Sequence, residues 1–155
     1  DKIICMSKGR IEQIGSPDEL YATPASTFVA TFIGTPQINL LEGTAEGTKM
    51  CINNHCVTLS RPFQGDVILG IRPENLFISE TGLEAEVVEV EPMGREQVIL
   101  VQSPIGQLRL LEQRTVTTHK AGDKICLQAE QQKTLLFSKS NNTLQQGFCC
   151  CFSEQ

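Results

Sequence analysis

The chain has 155 residues, 40% hydrophobic and 20% charged, with a formal net charge of -5. That length suits one ordinary domain or a small domain with an appendage, and the apolar fraction excludes general disorder. No apolar run reaches the ~18 residues that cross a bilayer, and without any Lys/Arg cluster a nucleic-acid backbone is excluded as the main ligand.

Residues 3–6 and 11–14 are two β-rich runs flanking Lys8-Gly9. Glycine there supplies the positive φ of a tight turn, so the stretch predicts a β-hairpin that Gly15 ends. Only Asp1-Lys2 precedes the first run, and a chain that opens inside a strand reads as a piece of a longer protein. Ser16-Pro17-Asp18-Glu19 predicts a helix start, with Ser16 as cap, Pro17 at the first position and Glu19 closing a capping box. Pro24 keeps that helix short, and Thr23 is expected to cap a second helix with Pro24 at its start. Phe28, Val29, Phe32 and Ile33 then form an apolar stripe that Gly34 stops. The stripe is expected to pack a linker helix against a neighbouring domain, which makes Phe28 and Phe32 interface candidates.

After Thr35-Pro36 the pattern changes to short strands with turn punctuation, and the domain boundary is placed near residues 34–38. Strands are predicted at 39–46, 49–53, 56–59, 66–71, 83–90, 97–102, 107–111, 124–130 and 133–138. Turns are read at Glu46-Gly47, Asn53-Asn54, Glu80-Thr81-Gly82, Pro92-Met93-Gly94, Pro104-Ile105-Gly106 and Ala121-Gly122-Asp123. Many short strands at this spacing predict a mainly β unit, a small barrel or sandwich. Between residues 84 and 91 the glutamates occupy even positions before Val87 and odd positions after Val88. That slip in the period of two predicts a β-bulge, with the glutamates on a solvated face. Residues 141–155 lack periodicity and predict a frayed tail. The expected organisation is 1–34, 35–139 and a flexible tail at 140–155.

Seven cysteines stand at Cys5, Cys51, Cys56, Cys126, Cys149, Cys150 and Cys151. No C-x-x-C pair occurs, so neither a zinc site nor a disulfide framework is expected, and the thiols read as free groups in a reducing compartment. No phosphate loop, dinucleotide fingerprint or nucleophile elbow is present. His55 and His119 lie in polar, turn-like stretches with no triad around them. The residues therefore read as a binding or scaffolding module with no catalytic, cofactor or metal residues of its own. One polar signature is unusual: the apolar run Val67-Ile68-Leu69 delivers Gly70-Ile71-Arg72-Pro73-Glu74-Asn75. Two roles stay open for it, an Arg–Glu pair pinning a strand end and a stiff docking loop. In a mixed reading Arg72 and Glu74 hold the loop while Asn75 meets a partner domain.

Residues 8–21, Lys8-Gly9-Arg10 through Leu20-Tyr21, resemble a stretch in ABC importer ATPases that follows the switch-histidine loop. Phe28-Val29-Ala30-Thr31-Phe32-Ile33-Gly34-Thr35-Pro36-Gln37-Ile38-Asn39 resembles the helix leading into their regulatory domain. Gly70 to Asn75 is similar to that domain's G-[IV]-R-P-E-x loop. Three motifs in order, spanning about residues 1–138, resemble the C-terminal part of the ATP-binding subunit of importers of the maltose/glycerol-3-phosphate type. The resemblance implies an oligonucleotide/oligosaccharide-binding-like barrel, preceded by a hairpin and two short helices from the end of an ATPase domain. It implies a homodimer on the inner face of the cell membrane, bound to permease subunits through the ATPase domain. It also implies ATP and Mg in the full-length parent, at residues ahead of Asp1, and in maltose-type members a cytosolic regulatory protein. The rival reading is an oxyanion-binding barrel like those of molybdate-type relatives. Ser60-Arg61 and residues 115–120 are the nearest donors for one, and they form no recognisable nest. Single-stranded nucleic acid fits poorly, because the chain has no Trp and one Tyr, outside the barrel.

Overall fold

The structure, a computed structural model, describes residues 1–114 and 118–152. β1 (Ile3–Ser7) and β2 (Arg10–Gly15) form the expected antiparallel hairpin. Lys8 and Gly9 at its tip have φ of 50° and 76°, the left-handed pair that suits a two-residue turn between twisted strands. α1 (Pro17–Ala22) starts at the expected capping box: Glu19 N donates to Ser16 Oγ at 3.1 Å and Ser16 N donates to Glu19 Oε2 at 2.7 Å. α2 (Thr27–Phe32) starts later than expected. Its cap is Ser26, whose hydroxyl accepts from Val29 N, whereas Thr23 closes α1 and donates to Glu19 O. Pro24 falls between the helices because Ala25 N is held by Gln13 Oε1 at 2.8 Å, which keeps that segment extended toward the hairpin.

The remaining strands build two sheets. β3 (Asn39–Ile52) and β4 (His55–Ile71) are long partners. Each merges two predicted strands: Glu46-Gly47 is a bulge inside β3, where the register shifts between Gly47 and Lys49, and no turn interrupts it. β5 (Leu76–Ser79), β6 (Leu83–Met93), β7 (Glu96–Ser103), β8 (Gly106–Gln113) and β9 (Lys124–Ala129) form a five-stranded sheet ordered β5-β9-β6-β7-β8. β10 (Leu135–Ser138) and β11 (Cys150–Cys151) both pair with β4 to complete a four-stranded sheet. Both short strands β5 and β11 are additions to the expected set. The fold is mainly β, as expected, and its OB-like unit is built from open sheets, none closed on itself among the described residues. The predicted bulge lies at Val88, where the β6–β7 register shifts between Val87 and Glu89. Glu84, Glu86, Glu89 and Glu91 are all exposed, while Ala85 and Val87 are buried between them.

The main core lies between the two sheets and includes Leu69, Ile71, Met50, Ile99, Leu108, Leu110, Leu127 and Leu136. A second cluster of Ala30, Ile38, Ile68 and Phe137 joins α2 to the outer face of β4 and β10. A third, Cys5, Leu20 and Val29, joins the hairpin to both helices. α2 therefore buries Val29 toward the hairpin and Ala30 toward the sheet.

The end of the chain differs from expectation. Leu144 packs on the second cluster, and Phe148, Cys150 and Phe152 pack on the main core. Leu144 N donates to Ala25 O, and Arg61 donates to Gln146 O with its guanidinium 4.2 Å from the Phe148 ring centroid. A polar composition thus conceals four apolar anchors spaced too irregularly to register as a period. The cysteines differ as well: Cys51 and Cys56 form a disulfide. The two-residue turn at Asn53-Asn54 sets them directly opposite one another, Cα to Cα 4.0 Å, so a pairing arises without any C-x-x-C spacing.

Candidate functional site

β4 ends in Val67–Ile71, all buried, and so carries its next residue out of the core on a fixed strand. Arg72 is extended (φ -71°, ψ 143°), as a residue before proline must be. Pro73 then opens a 3-10 turn, Pro73–Asn75, tied by Asn75 N to Arg72 O at 2.9 Å and by Glu130 N to Asn75 O at 2.8 Å.

The Arg72 side chain turns back onto the helices and is 3% exposed. One guanidinium nitrogen donates to Ile33 O at 2.9 Å and to Ala30 O at 3.4 Å, and the other donates to Tyr21 O at 2.8 Å. Tyr21 lies at the C-terminal end of α1, and Ala30 and Ile33 at that of α2. These are the carbonyls that lack helical partners and carry the negative end of the helix dipole, so one cation satisfies two helix ends. The Tyr21 ring closes the remaining side, 4.0 Å from centroid to guanidinium carbon. Burial lowers Arg72 from its ordinary 12.5 to about 10, which leaves it charged at neutral pH. Gly34 (φ 112°) permits the approach, since a Cβ there would stand 3.0 Å from the same nitrogen.

The other sequence candidates take different places. Gly70 is buried, and a Cβ on it would meet Ile38 and Phe137 side chains at 3.1 Å, so its bareness lets the second cluster close over the strand. Pro73 is buried and stiffens the turn. Glu74 is exposed, and among the described residues it forms no ion pair with Arg72; the expected Arg–Glu pin is replaced by backbone carbonyls. Asn75, expected to meet a partner, is buried at 7% exposure. Phe28 and Phe32 stack at 6.2 Å between centroids and remain exposed, at 39% and 67%. Ile4, Met6, Ile11 and Ile14 are also exposed, all by more than half. Register pairs Ile4 with Ile14 and Met6 with Ile11, so these four occupy one face of the hairpin, opposite buried Cys5.

Asn39 was not among the candidates, yet it joins the two sheets. Its Nδ2 donates to Ile71 O at 3.0 Å and to Arg109 O at 2.9 Å, while its Oδ1 accepts from Arg109 N at 2.9 Å. A lone Asn heading an apolar strand was the available signal. Of the donors considered for an oxyanion, Ser60 N donates to Cys149 O at 2.9 Å, Arg61 donates to Gln146 O, and Lys120 N donates to Asp123 Oδ2 at 3.0 Å. Residues 115–117 of that candidate set lie outside the described residues.

Residues 69–137 match the TOBE domain family. Over 109 residues the chain is 44% identical to an uncharacterized ABC transporter ATP-binding protein of Sinorhizobium fredii, covering 65% of this chain and 29% of that one. It is 40% identical over 103 residues to an sn-glycerol-3-phosphate import ATP-binding protein of Jannaschia sp., covering 64% and 30%. A putative ABC transporter ATP-binding protein of Mycoplasma genitalium is 36% identical over 106 residues, covering 65% and 18%. The chain thus spans less than a third of the length of these relatives. Arg72 and its turn fall inside the segment that matches the TOBE domain family, and the chain is similar to a part of ABC transporter ATP-binding proteins.

Proposed function

We propose that this chain is the regulatory and dimerisation region of the ATP-hydrolysing subunit of an importer for sugars or glycerol-3-phosphate. The observation that carries the reading is the Arg72 clasp. A charged side chain of the TOBE domain is buried against the ends of both helices, so a displacement of the domain is passed to α1, α2 and the hairpin. The similarity to an sn-glycerol-3-phosphate import ATP-binding protein supports the substrate class. No described helix is long and apolar enough to cross a membrane. In this reading the subunit sits on the cytoplasmic face and binds permease through its ATPase part, where ATP and Mg are held outside these residues. The exposed hairpin face and Phe28 with Phe32 then rest on that part or on the twin subunit. A regulatory protein of the cytosol would act on the TOBE domain.

The test is Arg72→Ala in the full-length subunit, assembled with its permease. Basal ATP turnover should persist, while its stimulation by the substrate-loaded binding protein should fall several-fold. Unchanged stimulation in a folded variant would reject the clasp as the regulatory link.

A further inference from the structure

The four-stranded sheet gathers four of the chain's seven cysteines on one side. β4 lies between β3 and β11, with Cys51 opposite Cys56 on one flank and Cys151 opposite Thr58 on the other. Cys56 and Thr58 are two residues apart and share a face. Cys151 is therefore the diagonal cross-strand neighbour of Cys56, a relation that sets Cα atoms about 7–8 Å apart, so a bond between them draws the two-residue β11 along β4. Cys51, Cys56, Cys149 and Cys151 are all half-buried on this outer face, whereas Cys150 points inward with Val57, Leu59 and Phe152. Cys149 is bonded to Ser60 through both of its backbone groups, four residues further along β4 from Cys56, about 13 Å away.

We propose that this outer face is a thiol–disulfide exchange site, in which Cys151 is the resolving thiol for the Cys51–Cys56 disulfide. The Cys151 thiolate attacks Cys56 Sγ along the diagonal. A Cys56–Cys151 bond forms, the Cys51–Cys56 bond breaks, and its electron pair leaves on Cys51 Sγ. Cys51 then takes up, through solvent, the proton that Cys151 released, so the step is redox-neutral and needs no outside oxidant. Attack falls on Cys56 because Cys51 lies one strand further off, about 12 Å from Cys151. Cys150 does not compete: burial and the two flanking thiols push it up to about 12. The exchange moves a covalent staple from the β3–β4 turn to the chain's end. β11, two residues long, is then fastened to β4, and the hairpin tip is released.

Trypsin separates the two states. Arg61 and Arg72 precede proline and are not cut, so Cys51 and Cys56 share the peptide 50–95 while Cys149 to Cys151 fall in 140–155. The chain is equilibrated in a millimolar glutathione buffer, acid-quenched, alkylated and digested without reduction. A 50–95/140–155 cross-link should appear, independent of protein concentration. It should persist in Cys149→Ser and Cys150→Ser and fall at least about tenfold in Cys151→Ser. Circular dichroism checks that the variants fold. No cross-link in the unaltered chain, a cross-link that grows with concentration, or equal yield in Cys151→Ser overturns the proposal.

Discussion

Taking a guanidinium out of water is unfavourable by several kcal/mol unless its charge and its donors are met. Arg72 meets both conditions with two helix ends and an aromatic face. Arg72→Ala removes charge-assisted bonds worth about 1.5–3 kcal/mol each and leaves buried carbonyls unpaired, so the expected loss is about 2–4 kcal/mol in urea unfolding. Arg72→Lys should recover only part of that, because an ammonium cannot span both helix ends with a planar fork. Glu74→Ala, at an exposed position, should stay within about 0.5 kcal/mol of the parent. Equal midpoints for Arg72→Ala and the parent chain would show that the clasp holds nothing. The importance of this residue was legible in Gly70 to Asn75, but its partners were not. Backbone carbonyls at Tyr21 and Ile33, 51 and 39 positions earlier, have no sequence signature. The same holds for Asn39, whose partners lie 32 and 70 positions later.

At the scale of elements, whatever depended on near neighbours could be read, and whatever depended on distant ones could not. The β1–β2 turn, the α1 capping box and the bulge at Val88 are each specified within a few residues. α2 was misplaced because Thr23-Pro24 and Ser26 are equally good local starts, and a bond from Ala25 N to Gln13 Oε1 decides between them. β11 could not be read, since two residues carry no period and the pairing to Thr58 and Leu59 spans about 90 residues of chain. The capping box permits a direct check. Ser16→Ala removes one acceptor at the start of α1 and should cost about 1 kcal/mol. Hydrogen bonding to the Ser16 backbone N–H, and next to the Ser16 side chain, holds the Glu19 carboxyl below its ordinary value of 4.5. A depressed carboxyl stabilises the fold above its unfolded pKa, and that contribution is lost as pH falls through the folded one. Glu19→Gln should therefore flatten the acid side of the stability profile below about pH 4.5 and change little at pH 7. Superimposable acid limbs for the two proteins would remove the box from the account of α1.

The molecule as a whole is held by three clusters in series, hairpin to helices, helices to sheet and sheet to sheet, and the first of these is the thinnest. Its outer side leaves Ile4, Met6, Ile11 and Ile14 between 52% and 57% exposed on one face of a two-stranded ribbon. Two strands alone are marginal in water, and both edges of this pair are open to a further strand. The rival surface is the stacked pair Phe28 and Phe32. Four aligned side chains next to free strand edges offer more apolar contact, and backbone hydrogen bonds besides, than two rings on a six-residue helix. The chain should therefore self-associate at high micromolar concentration through the hairpin. Ile4→Thr with Ile14→Thr keeps strand propensity while removing apolar area, and light scattering should show that variant shifted toward monomer. Phe28→Ser with Phe32→Ser should leave the association largely in place. If the phenylalanine variant alone becomes monomeric, the helix face is the contact and the hairpin is a bystander. If the unaltered chain is monomeric throughout, neither surface joins copies of it, and the apolar face answers only to a different protein.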